Sequence, residues 1–145
     1  MGENPRPDLA AMLAPIVRAL VGLERPILEA NELTMWGYSV LLALGEQPVR
    51  TQAALAEKIR ADKTRLIGDL DELQARGMIT RVPDPDDRRV RLVSITAKGR
   101  RARDRAQVDI QQREDLLLAA FPAADRQAFL RVVRTLAQQA RAGEL

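Results

Sequence analysis

Three groups of side chains hold most of the chemistry this sequence offers. Asp62, Lys63, Thr64 and Arg65 follow one another where a helix is predicted to begin. A helix entering the major groove puts its first turn at the base edges, where an arginine fork meets guanine and a threonine methyl meets thymine. The same residues also suit a merely solvated first turn, so only their neighbours can separate the two readings. Residues 83–89 read Pro-Asp-Pro-Asp-Asp-Arg-Arg, with two prolines stiffening a loop of mixed charge. A carboxylate beside an arginine in a turn can hold the guanidinium through a charge-assisted hydrogen bond. A guanidinium held at a hairpin tip suits the narrow, strongly negative minor groove. As a cation site, Asp84, Asp86 and Asp87 lack the further oxygens and the glycine turn of a calcium loop, and Arg88 and Arg89 would repel the ion. The third group is Lys98, Arg100, Arg101, Arg103 and Arg105, set against the single acid Asp104. Cations in a first helical turn oppose the macrodipole by roughly 0.3–1 kcal/mol each. A phosphate partner would account for them, and a screened, solvated face is the alternative.

What is missing narrows the chemistry further. The 145 residues include no His and no Cys, which removes the commonest general base, thiolate metal sites, disulfides and thiol redox switches. No metal and no cofactor are expected. Ser39 and Ser94 have no histidine to activate them, and no glycine-rich phosphate loop precedes a helix. Asp69 and Glu72 are the remaining acid pair, at a spacing that is usual on a solvated helix face. An enzyme is therefore not expected. At 46% hydrophobic and 30% charged, with four aromatics, the chain should fold as one domain around an aliphatic core. Residues 1–8 contain no apolar signal stretch, and no window approaches about 18 apolar residues, so a soluble, cytoplasmic protein without membrane contact is expected. The net charge of +3 with a pI of about 9.9 favours a nucleic-acid partner but is too modest for indiscriminate coating of DNA.

The elements that must position these groups follow from periodicity. Leu9, Met12, Leu13, Ile16, Val17, Leu20, Leu23 and Ile27 recur at helical spacing behind Asp8 as a cap, with Pro15 and Pro26 predicting a bent or interrupted helix. Thr34 is placed to cap Met35–Leu44, ended by Gly45 and Pro48, and Thr51 to cap Gln52–Ile59. Asp62 opens a helix to Arg76 with Leu66, Leu70 and Leu73 inward, and Gly77 supplies a left-handed stop. The period then changes to two, predicting strands Met78–Val82 and Arg89–Ile95 around the loop. Thr96 is placed to cap a helix from Ala97 to about Ala120. Pro122 suits the first position of a last helix whose apolar face is Phe129, Leu130, Val132, Val133, Leu136, Ala137 and Ala140. The predicted fold is mainly α with a small β-hairpin wing: a single domain over residues 1–145 with a winged helix-turn-helix at 34–96. The long amphipathic helices flanking it need a partner surface, within the chain or on a second copy.

The stretches Thr51-Gln-Ala-Ala-Leu-Ala-Glu-Lys-Ile59, Leu73-Gln-Ala-Arg-Gly77-Met-Ile, Asp84-Pro-Asp-Asp-Arg-Arg89 and Val93-Ser-Ile-Thr-Ala-Lys-Gly99 resemble the MarR family of bacterial transcription regulators. The resemblance covers nearly the whole chain, including Leu33-Thr34. It implies a homodimer joined through residues 8–30 and 97–142, each subunit presenting one winged motif to double-stranded DNA at an inverted repeat. It places Thr64 and Arg65 at the bases, beside Lys63 of the same first turn, and has Asp87 brace Arg89 for the minor groove, with Arg88 beside them in the wing. Lys98, Arg100 and Arg101 are, from their uncompensated charge, the candidate phosphate contacts. Repression is the family's commoner mode. Many members are released by small phenolic or lipophilic anions, for which Trp36, Tyr38 and Arg18 are the candidate contacts, against core packing for the Trp and solvated surface for the Arg. Sensing through cysteine or histidine is excluded here. The chain departs from the family pattern at Gly68 and Asp69, where a basic residue followed by Leu is more common. Glycine inside a helix costs about 1 kcal/mol, and one phosphate or base contact loses its usual residue. The alternatives are a non-sequence-specific architectural DNA-binding protein and a winged-helix protein-interaction module.

Overall fold

The computed structural model describes residues 5–60 and 62–145, with the backbone alone at position 63. In chain order the elements are α1 (Leu9–Ala30), α2 (Met35–Glu46), β1 (Val49–Thr51), α3 (Gln52–Ile59), α4 (Lys63–Ala75), β2 (Ile79–Pro83), β3 (Arg91–Ile95), α5 (Ala97–Leu118) and α6 (Ala123–Ala142). They form two compact units, one up to Ile110 and one from Gln111 to Leu145, the division falling inside α5. The fold is mainly helical with one small antiparallel sheet, as the periodicity predicts.

Local chemistry sets most boundaries. The Thr34, Thr51 and Asp62 side chains accept hydrogen bonds from the backbone N–H groups of Gly37 (2.9 Å), Ala54 (3.0 Å) and Thr64 (3.1 Å), satisfying donors that a helix start leaves orphaned. Gly77 takes φ 73° behind α4. There the N–H groups of Gly77 and Met78 return to the carbonyls of Gln74 and Leu73, closing the helix end. The turn between α3 and α4 uses Arg60 at φ 53°, a left-handed residue with a side chain, at a strain of about 1–2 kcal/mol.

Several expectations are corrected. Of the bent or interrupted first helix expected, the interruption is absent: α1 is continuous through Pro15 and Pro26, since each proline deletes one ladder bond and leaves the turns on either side intact. Asp8 precedes α1 without a side-chain capping bond. Gly45 does not end α2, which continues to Glu46. Its missing side chain instead makes room for Arg103, whose guanidinium a Cβ would strike. Pro122 sits one place earlier than expected, as the residue before the first helical turn of α6. β1 was not foreseen, since three residues are too few to show a period. It pairs with β3 through Arg50 opposite Val93, giving the strand order β1-β3-β2.

The first unit closes around an aliphatic core. Leu28 at the end of α1, Val40, Leu41 and Leu44 of α2, Leu55 of α3, and Leu66, Leu70 and Leu73 of α4 meet Ile79 and Val93 of the sheet and Ala102 and Ala106 of α5. Tyr38 is the one aromatic buried there among the described residues. The start of α5 is pressed against the start of β2. Thr96 Oγ1 donates to the Gly77 carbonyl (2.6 Å) and accepts from Gly99 N–H (3.0 Å), while a Cβ on Gly99 would collide with the Met78 carbonyl. Gly99→Ala should therefore lower the unfolding free energy by about 1–3 kcal/mol, read as an earlier midpoint in chemical denaturation.

Candidate nucleic-acid interface

α4 presents its outer face because its leucines bind it to the core. Leu66, Leu70 and Leu73 are buried, whereas Thr64, Arg65, Ile67 and Gly68 are exposed. The Lys63 side chain lies outside the described residues. Three polar ties hold the helix. Thr34 Oγ1 donates to Asp69 Oδ1 (3.2 Å), joining α4 to the start of α2. Arg76 donates to the Glu32 carbonyl (2.7 Å) and to Glu72 (2.8 Å), joining its end to the turn after α1. Arg81 of β2 donates to Gln74 (2.6 Å) and to Asp71, linking the wing to the same helix. Asp69 and Glu72 are thus taken up by separate structural partners rather than paired as an acid and a base. Arg81 carried no signal in the sequence, and for Arg76 only the Glu72 pair, four residues apart on the helix, was legible there. Arg81 meets residues 7 and 10 positions away around a turn, a proximity no helical or strand period encodes.

The wing tip is a compact hydrogen-bonded loop. Asp84 Oδ1 accepts from Asp86 N–H (2.9 Å), Asp84 N–H donates to the Val90 carbonyl (2.8 Å), and Val90 N–H returns to the Asp87 carbonyl (2.9 Å). Asp87 Oδ1 accepts from both the backbone N–H (3.1 Å) and Nε (3.2 Å) of Arg89, and Arg89 Nη2 lies 3.5 Å from Oδ2. The Arg89 side chain is nonetheless 91% exposed: the carboxylate fixes its direction without covering it. These bonds hold the Asp87 carboxyl below the usual carboxylate range, the Arg89 side chain contributing most and its backbone N–H next. Arg88 is exposed beside it.

Lys98, Arg100 and Arg101 are exposed at the start of α5. Arg103 turns away from them, covering Gly45 and donating to Asp104 (2.9 Å). Trp36 and Tyr38 stand two residues apart on α2 and so face different sides. Tyr38 is in the core, Trp36 is half-buried, and Arg18 is exposed on α1. Among the described residues no three or more carboxylates gather as a metal would require, and no helix is long and apolar enough to cross a membrane.

A sequence model of the MarR family matches residues 33–90, the span from the start of α2 to the wing tip. A MarR-family transcriptional regulator from Rhodococcus sp. RHA1 superposes with a TM-score of 0.78 at 26% identity, covering 94% of this chain and 96% of that one. The chain belongs to the MarR family. The transcriptional regulator HosA of Escherichia coli O111:H- is 33% identical over 97 residues, which is 67% of this chain and 62% of that protein. CouR from Rhodococcus jostii RHA1, solved with p-coumaroyl-CoA, is 27% identical with a TM-score of 0.74, over 92% of each chain. This MarR-family protein is a DNA-binding transcriptional regulator with a winged helix-turn-helix, and its relatives are regulators rather than enzymes.

The lowered Asp87 pKa fixes the pH window of the wing brace. A carboxylate depressed by a partner contributes above its ordinary value of about 3.9 and loses that contribution as pH falls through the depressed value. The Asp87–Arg89 contact should therefore be constant between about pH 5 and 8. In a carboxyl NMR titration Asp87 should ionise below the usual range. Arg89→Ala should move it part-way back up, since the residue 89 backbone N–H remains as a donor.

Proposed function

We propose that the protein is a repressor that binds an inverted-repeat operator in double-stranded DNA as a homodimer, and that a small aromatic or anionic effector releases it. The observation that carries this is the Arg89 guanidinium, held out at the wing tip by Asp87 yet open to solvent. That is the arrangement a minor-groove probe requires, because the negative potential there rewards a cation whose orientation is already set. In this reading residues 34–96 meet the DNA. Lys63, Thr64 and Arg65 reach the bases, Asp87, Arg88 and Arg89 form the wing contact, and Lys98, Arg100 and Arg101 meet phosphates.

Residues 8–30 and 97–142 form the dimer. Leu9, Leu13, Ile16 and Val17 of α1 are exposed, and so, on α6, are Phe129 (46%), Leu130, Val132 and Val133. Apolar stripes of that length left open on a single chain favour burial against a second copy. Trp36 and Arg18 are assigned to the effector, in keeping with the p-coumaroyl-CoA bound by CouR, whereas Tyr38, expected beside them, packs in the core on another side of α2. The protein acts in the cytoplasm, where its DNA lies.

Sedimentation should give a dimer, and gel shifts over DNA flanking the coding sequence should weaken steeply with salt as counterions are released. Arg89→Ala should weaken binding to all sequences, whereas Arg65→Ala should relax discrimination at one position by about 1–3 kcal/mol. A monomer in sedimentation would overturn the dimer. Displacement by any duplex at similar mass would replace this reading with an architectural one.

A further inference from the structure

We propose that Gly68 is a specificity-determining residue, the point at which the backbone of α4 itself approaches the floor of the major groove over a thymine methyl group. The inference rests on the reading of α4 as the base-reading helix. Gly68 lies inside α4 with an ordinary helical backbone, the positive-φ glycines among the described residues being Gly77 and Gly143. A Cβ built on it meets nothing within 4 Å among the described residues. Neither conformation nor packing among those residues therefore calls for glycine, although glycine weakens a helix interior relative to alanine. The contrast with the packed glycines is direct: a Cβ on Gly45 meets Arg103, and one on Gly99 meets the Met78 carbonyl. Gly22, the other glycine inside a helix with open space around it, lies on α1, in the part assigned to the dimer. Both unexplained helix-interior glycines thus fall on surfaces assigned to a partner.

Position and chemistry narrow the partner. At about 100° per residue, Gly68 points within about 20° of the direction opposite Leu66, Leu70 and Leu73, one turn beyond Thr64. Glycine in this place allows close backbone approach. The surface it offers is only the Cα hydrogens, because the helix ladder uses its N–H and C=O. A cytosine or adenine amino group pressed against that surface would lose water and gain no acceptor. The thymine methyl loses nothing there and buries apolar surface.

The test compares wild type, Gly68→Ala and Arg65→Ala on duplexes selected from random sequence by the wild-type protein. Gly68→Ala should raise the thermal midpoint by about 2–6 °C, since it removes glycine from a helix, and should weaken binding to the selected duplex by about tenfold, since a methyl enters a filled gap. Replacing thymine by uracil at one position in each half-site should weaken wild type about fifteenfold, the loss of two buried methyls at about fourfold each, and leave Gly68→Ala indifferent. If Gly68→Ala binds as tightly as wild type and selects the same sequence while Arg65→Ala does not, the role of Gly68 is overturned alone. If Arg65→Ala also selects the same sequence with equal affinity, α4 does not read bases and the underlying function reading falls with it.

Discussion

Four elements of the winged unit meet within a few residues of Thr96. Its hydroxyl bonds the Gly77 carbonyl and the Gly99 N–H, its own N–H bonds the Met78 carbonyl, and Met78 N–H returns to Leu73 at the end of α4. The last turn of α4, the root of β2, the end of β3 and the start of α5 are therefore fixed to one another by short backbone contacts. The side chain absent at Gly99 is what lets α5 come this close. Once this junction is set, the wing cannot pivot freely about the helix beside it, and the cations at the head of α5 are placed at the root of the wing. The Gly-Met and Thr-Ala-Lys-Gly segments on its two sides are thus parts of one device, although 17 residues lie between Met78 and Thr96.

Charge in this protein works by direction more than by amount. A net charge of +3 is small for a DNA-binding chain, yet several of its acids are each committed to one particular arginine. Asp87 aims Arg89, Asp71 and Glu72 anchor Arg81 and Arg76, and Asp104 takes Arg103. Exposed pairs of this kind are worth about 0–1 kcal/mol in stability. Their larger effect is geometric: they decide which guanidinium groups are used up in holding α4 and the wing in place and which are left facing outward. Arg65, Arg88, Arg89, Arg100 and Arg101 remain on the outside.

Apolar surface is satisfied unevenly along the chain. The first unit buries a continuous aliphatic cluster but leaves the stripe on the first half of α1 open, and in the second unit α6 has no buried residue. A helix with such a face is stable only when something covers it. The core of the first unit is thus closed by the chain itself, whereas these stripes stay open on the single chain.

Much of this was legible in the sequence because it depends on short-range chemistry. Caps at Thr34, Thr51 and Asp62, the left-handed stop at Gly77, the change from a helical period to alternation after it, and the carboxylate two residues before Arg89 act over a few positions, within the reach of local propensity. The continuation of α2 past Gly45, strand β1, the tie of Arg76 to the Glu32 carbonyl, the ties of Arg81 and the seat of Arg103 over Gly45 were decided by tertiary structure. Each depends on groups brought together by the closing of the core. A glycine covered by a distant guanidinium or a three-residue strand has no period of its own, and its outcome is settled only by what packs beside it.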